Sequence, residues 1–359
     1  MESNQEPAQP PLHQRIASQQ VDAQKGSPLF SRLPPEIRSR IFAFAVAEYE
    51  DVNNPYPIDD MWKPPRSAPR KICLQLLLAC RAVYLEAWFL PFQTIEQSIR
   101  ITGGHVFAIL TAFEFPLLWA RTIQNLNKLL ARLKQPGRAK VDIGSLRVYA
   151  TVEAVEVGLL LQVLKMPGLH PQRLILSIGH DEWPGWEWEL PLCFEAGWVK
   201  QISNVISSST QEFNIELEAV EQQKNQINVI GKHIAKHWFF RRSDGNVLYA
   251  DASGKCFQVS HRVGPSSWTN IRWAVDVDGV EKIKYYTLTV SFESECSVKA
   301  KGGMVSEATK KNAANPLYEH PPVRVEDIPD PDFWDQTPTV SSEEELNLTG
   351  PQVLPLPPS

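Results

Sequence analysis

Three groups of residues in this chain have types and spacings that can carry chemistry. His233 and His237 lie four apart in residues 223–239, a segment with the periodicity of an amphipathic helix. That spacing puts two imidazoles on one helix face, as a metal site needs. In an H-E-x-x-H metalloprotease the general base is the residue directly after the first histidine; here that residue is Ile234. No third ligand is in view, so the pair reads as a helix-end pair. His180, Asp181 and Glu182 set an imidazole beside two carboxylates, the material of general acid–base catalysis. Neighbours on a strand point to opposite faces, however, so the triplet reads as a strand-end loop. The third group is Trp183, Trp186, Trp188 and Trp198. If the segment is extended, Trp186 and Trp188 share a face. Clustered tryptophans either fill a core or present a recognition surface, and both readings stand for Trp183, Trp186 and Trp188.

The motifs of common enzyme classes are missing. There is no G-x-S-x-G nucleophile elbow and no G-x-x-x-x-G-K-[ST] phosphate loop. Gly103-Gly104 and Gly302-Gly303 lack the flanks of a dinucleotide fingerprint. The sequence therefore predicts a non-enzymatic protein with no catalytic, cofactor-binding or metal-ligating residues and no cofactor.

Charge and composition narrow the partners. The chain has 359 residues, 43% hydrophobic and 21% charged, with a formal net charge of -5. Residues 319–359 hold nine acids against the single Arg324, so this stretch carries -8 and the remainder +3. A body so near neutrality lacks the basic face that phosphate backbones attract, which argues against nucleic acid. Five scattered cysteines with no C-x-x-C predict reduced thiols in a cytoplasmic or nuclear protein. The Gln-rich start reads as no secretory signal, and no apolar run nears the roughly 20 residues that span a bilayer, so no membrane association is expected.

Four regions emerge. Residues 1–27 are polar and aperiodic and read as a disordered tail. Residues 28–92 read as a helical module. Pro34 and Pro35 sit where a helix starts, because the missing N–H costs nothing in a first turn, and Glu36 faces the positive end of the helix dipole. Ile37, Ile41, Phe44 and Ala45 then recur on one face. Five prolines make residues 52–69 a loop. A second helix is predicted over 71–89, its apolar stripe made of Leu76, Leu77, Cys80, Val83, Tyr84 and Ala87, with Pro91 as its stop. Residues 93–298 read as an α/β body: strands at 98–102, 146–151, 173–178 and 213–217 alternate with helices at 106–113, 155–166, 198–207 and 223–239. The strand starts are too unevenly spaced for a regular repeat, which leaves an irregular, leucine-rich-repeat-like stack. It closes in antiparallel fashion, with an Asp244-Gly245 turn and strands at 247–250, 256–263 and 284–292. Residues 299–359 read as an acidic, proline-rich disordered tail. The predicted fold class is mixed α+β.

Two motifs in the helical module carry a resemblance. The run from Leu33 through Pro34, Pro35, Glu36 and Ile37 to Arg38 opens its first helix. The run from Cys80 and Arg81 through Tyr84 to Glu86 and Ala87 closes its second. Together they resemble the L-P-x-E-I-R and C-R-x-x-Y-x-E-A pattern of a large fungal family of F-box-like proteins of unknown function. Asp181-Glu182-Trp183, Trp186-Glu187, the Asp244-Gly245 turn and Tyr285-Tyr286 resemble later segments of that family, so the likeness extends roughly over residues 29–293. In a true F-box a compact helical unit docks on the Skp-type adaptor of a cullin ubiquitin ligase, and the segment after it holds a protein substrate. The resemblance implies that Leu33, Pro34, Ile37 and Ile41 sit on or near the adaptor face; the same residues could instead cap the α/β body. A scaffold with no ubiquitin link, and an enzyme of unrecognised class, are the alternatives.

Overall fold

In the computed structural model the described residues are 12–54, 68–102, 120, 123–128, 130–131, 141–188, 190–264, 274–277 and 280–325. They build a mixed α+β fold around one nine-stranded sheet. Its strands are β3 (Glu96–Ile101), β4 (Val141–Ala150), β5 (Leu169–Ile178), β7 (Glu212–Val220), β8 (Phe239–Arg241), β9 (Val247–Tyr249), β10 (Gln258–Gly264), β11 (Ala274–Val277) and β12 (Val280–Glu293). Two small ladders lie outside it, β1 (Glu48–Glu50) with β2 (Arg70–Ile72) and β6 (Cys193–Phe194) with β13 (Val323–Arg324). The strands β3, β4, β5 and β7 run parallel in chain order. Strand β12 then pairs antiparallel to β7 and to β10. The expectation of an α/β layer finished by antiparallel strands holds.

The two faces of the sheet differ, and the period-2 pattern says why. Leu146 and Val148 of β4, Leu174 and Leu176 of β5, Phe213 and Ile215 of β7, and Leu288 and Val290 of β12 are buried on one face. Helices Val152–Glu156, Leu159–Leu164, Gly197–Ile202 and Lys224–His237 supply the rest of that core. The opposite face carries Ser145, Arg147, Arg173, Glu212, Asn214 and Glu216, and remains polar. Strand β5 is buried on both faces over residues 174–178, as its apolar run, broken only by Ser177, predicts.

Helix boundaries depart from the sequence reading: the helix predicted over 198–207 spans only Gly197–Ile202, and two others are broken up. The single helix predicted over 155–166 is two, because Gly158 adopts φ +87 between them, a left-handed turn that glycine takes without strain. The helix predicted over 71–89 is a β-strand (β2), a 3-10 turn (Gln75–Leu78) and a shorter helix (Arg81–Ala87). Phe42, Val46, Val83, Ala87 and Leu90 still form one small core that clamps helix Pro35–Ala45 against Arg81–Ala87. The predicted loop over 52–69 lies mostly, and the predicted helix over 106–113 wholly, outside the described residues.

Both stretches read as disordered tails contain ordered elements. A helix spans Leu12–Ala17 inside the stretch read as disordered. At the other end residues 300–325 fold back onto the body. Helix Glu307–Ala313 buries Thr309 and Ala313, and Val323 is fully buried in β13. Trp238 Nε1 donates to the Pro321 carbonyl at 3.0 Å, and Arg241 Nη2 donates to the Ala313 carbonyl at 2.6 Å. Residues 326–359 lie outside the described set.

Candidate functional site

Helix Pro35–Ala45 has two apolar sides. Arg38, Phe42 and Val46, spaced by four, are buried against the small core. Offset from them, Ile37, Ile41 and Phe44 face solvent, with 41%, 42% and 79% of their surface exposed. Pro34 is exposed at the head of this stripe and Leu33 is half-buried beside it. The stripe that the sequence pattern marks as one face therefore exists, but it points outward and does not cap the body. Phe44 belongs to it although it was not among the predicted partner-binding residues. Leu74 and Leu78, on the 3-10 turn that leads into the second helix, are exposed as well. Isolated exposed apolar residues are ordinary, but three on one helix face are the anatomy of a helix-docking surface.

Arg38 fixes the orientation of that stripe. Its Nε and Nη2 donate to the two carboxylate oxygens of Glu86 at 2.8 and 2.7 Å, and its Nη1 donates to the Leu33 carbonyl at 2.7 Å. The guanidinium also lies over the Phe30 ring, 5.1 Å from its centroid. This planar fork ties the start of the first helix to the end of the second, a geometry that lysine cannot supply.

His180, Asp181 and Glu182 form a 3-10 turn at the C-terminal end of β5, where a strand-end loop is expected, and His180 and Glu182 turn inward. Arg100 of β3 pairs with Glu182 at 2.7 Å. Arg262 of β10 forks Glu218 of β7 at 2.7 and 2.6 Å and stacks over Tyr285 at 3.9 Å. Burial pushes the Glu182 carboxyl up to about 7, with Arg100 opposing and Asp181 adding to the rise. Burial also raises Asp181. Burial, together with the Arg262 charge, pulls His180 down to about 4, so it is neutral near pH 7. Its ring meets Trp186 edge-on at 5.4 Å. The cluster joins five chain segments across the end of the sheet and holds the loop that bears Trp186 and Trp188.

The tryptophans divide. Trp183 is buried and its Nε1 donates to the Glu218 carbonyl at 2.8 Å, so it presents no recognition surface and the reading of it as a partner-binding residue is corrected. Trp198 is buried too, stacked on Phe194 at 5.5 Å. Trp186 is half-buried, and Trp188 is 75% exposed. Trp186 and Trp188 lie on a 3-10 turn, so the shared strand face expected of them is absent. His233 and His237 stand with ring centroids 4.6 Å apart, and burial lowers the pKa of both, His233 to about 4. Among the described residues no group of three or more His, Cys, Asp or Glu side chains is placed to hold a metal ion, and no helix is long and apolar enough to cross a membrane.

In comparison with known proteins, no family model, no curated protein and no solved structure matches the chain.

Proposed function

We propose that this chain is a non-enzymatic F-box-like interaction protein. Its N-terminal helical unit docks a Skp-type adaptor, and its body receives a protein substrate for a cullin-type ubiquitin ligase. One observation carries the reading: helix Pro35–Ala45 turns Ile37, Ile41 and Phe44 to solvent while its other side is clamped by Phe42, Val46 and the Arg38–Glu86 fork. A helix held so firmly on one side has its second apolar face free for a partner. Fully burying a large aliphatic side chain contributes about 1.5–3 kcal/mol, so two half-exposed isoleucines and an exposed phenylalanine supply a compact anchor.

The clamp also supports the kinship. The arginine that ends L-P-x-E-I-R and the glutamate of C-R-x-x-Y-x-E-A meet here as one ion pair. Where an F-box has its middle helix, the sequence here carries five prolines over residues 52–69, between the two strands of the β1–β2 ladder. The parallel run β3, β4, β5, β7 in chain order supports a leucine-rich-repeat-like receptor half. Such a module works in the cytoplasm or nucleus.

Co-purification of the full chain with a Skp-type adaptor is the test. The wild type retains the adaptor. Ile37→Asp combined with Ile41→Asp loses it while the thermal unfolding transition is kept. A wild-type chain that never retains the adaptor overturns the proposal.

A further inference from the structure

Strand β10 lies along β12, paired residue for residue from Gln258 with Thr289 to Gly264 with Ile283. Among the described residues no strand pairs with its other edge. A free edge is a row of N–H and C=O groups ready for another strand, and proteins that keep such edges apart do so with lysine, proline or a bulge. Over 258–264 this strand has neither lysine nor proline, and its ladder to β12 runs without a bulge. Gln258, Val259, Ser260, His261 and Val263 are all exposed.

The side chains say which strand fits. Val259 and His261 stand beside Leu288 and Tyr286 of β12, and Val263 follows on the same face. The two valines are 41% and 50% exposed. A second copy of β10, turned about a two-fold axis perpendicular to the sheet, pairs antiparallel and keeps each face continuous. With the axis at His261, Val259 of each chain faces Val263 of the other, so both valines of both chains are covered. With the axis at Ser260 the valines face His261 and Phe257. With the axis at Arg262, Val263 faces His261 and Val259 faces a residue beyond the strand. Cross-strand pairs of like apolar residues therefore select the His261 register.

Charge agrees with that register. His261 Nδ1 lies 3.1 Å from Glu221 Oε2 of its own chain. Each imidazole thus brings a carboxylate to the axis, and two protonated rings meeting there are each countered. On the opposite face Ser260 meets Arg262 of the second copy, whose guanidinium is turned back onto Glu218, so no charge is left unpaired.

We propose that two copies of this chain join edge to edge through β10, antiparallel and centred on His261, so that their two sheets become one. The surface uses no residue of the adaptor stripe, so it goes beyond adaptor docking and does not depend on it.

Light scattering coupled to gel filtration of the full-length chain is expected to give twice the chain mass at micromolar concentration. Val259→Lys and Val263→Lys, both at exposed positions, are each expected to weaken the dimer at least tenfold while the thermal unfolding transition is kept. Ile37→Asp/Ile41→Asp is expected to leave it unchanged. Cysteine pairing reads the register, in a chain carrying Cys296→Ser to remove the exposed native thiol. There His261→Cys is expected to give a disulfide-linked dimer on mild oxidation, because facing Cα atoms of an antiparallel pair stand about 4.5–5.5 Å apart, within disulfide reach. Ser260→Cys, which faces Arg262 on the other side of the sheet, is expected not to link. The proposal is overturned by a chain that is monomeric at micromolar concentration, by a dimer indifferent to both lysine substitutions, or by linkage through Ser260→Cys in preference to His261→Cys.

Discussion

Arg38 and Glu86, 48 residues apart, meet in a two-pronged ion pair that joins the first turn of one short helix to the last turn of another. The pair is stationed behind the exposed isoleucines, so it sets which way the stripe faces. Its loss should be felt in the unit's stability before it is felt at the stripe. Arg38→Ala and Glu86→Ala are each expected to lower the midpoint of urea unfolding. The double variant is expected to lose less than the sum of the two, because each single change strands the other charge. Strict additivity in that cycle would show that the fork contributes nothing.

The two sides of helix Pro35–Ala45 predict opposite mutational outcomes. Phe42 is completely buried, and Phe42→Ala is expected to cost about 3–5 kcal/mol through the cavity it leaves. Ile37→Asp and Ile41→Asp alter exposed positions and are expected to stay within about 0.5 kcal/mol of wild type. Chemical denaturation of the three variants checks the contrast; similar costs at Phe42 and Ile37 would mean that the stripe is not solvent-facing.

Helix Lys224–His237 approaches β12 closely at Gly231. A Cβ there would stand 2.2 Å from Leu288 Cδ2, and Leu288 is itself buried. Alanine improves helix propensity by about 1 kcal/mol over glycine, but overpacking costs about 1–3 kcal/mol. Gly231→Ala is expected to be net destabilising, with Leu288→Val in the same chain restoring part of the loss. Thermal unfolding of the single and double variants reads this directly, and a stabilised Gly231→Ala would contradict the packing.

Glu182 gives a pH signature. Its carboxyl is raised in the folded state from an ordinary 4.5 to about 7 by burial. A carboxyl raised on folding contributes stability that is complete below about pH 4.5 and is lost as pH rises through about 7. His180, His233 and His320 are each held at about 4 against an ordinary 6.5, so their contribution is present above pH 6.5 and is lost as pH falls through about 4. These slopes oppose one another across the same window, so the Glu182 effect must be isolated by substitution. Glu182→Gln is expected to gain stability over wild type as pH rises from 5 to 8, on the order of a few kcal/mol at the upper end. A gain that shrinks over that range would mean that pairing with Arg100 outweighs burial.

Much of the fold could be read in the chain because its signals were local. Pro34, Pro35 and Glu36 mark a helix start whatever surrounds them, and the short apolar run over 173–178, with only Ser177 interrupting it after Arg173, reads as a strand buried on both faces. The direction of the apolar stripe could not be read the same way. Phe42 and Val46 form a second stripe one residue out of phase with Ile37 and Ile41, and the intervening Arg38 disguises it because a fork buried by a partner 48 residues away looks like a surface charge. The segment 300–325 departs from the expectation of a disordered tail for a related reason. Its prolines and acids suggest disorder, while its anchors are single groups, the Pro321 carbonyl on Trp238 and the Val323 side chain in β13, whose partners lie far back in the sequence. The polar-face residues Ser145, Arg173 and Asn214 carry no motif at all. Only strand alternation places them on one face, and only the register of β4, β5 and β7 brings them together.

Hydrogen exchange of the full chain, with and without a purified Skp-type adaptor, addresses the docking surface itself. Bound adaptor is predicted to protect the amides of residues 35–45 and to leave β5, β7 and β12 unchanged. Protection confined to the sheet, or no change anywhere at adaptor concentrations well above those of a specific complex, would contradict docking through Ile37, Ile41 and Phe44.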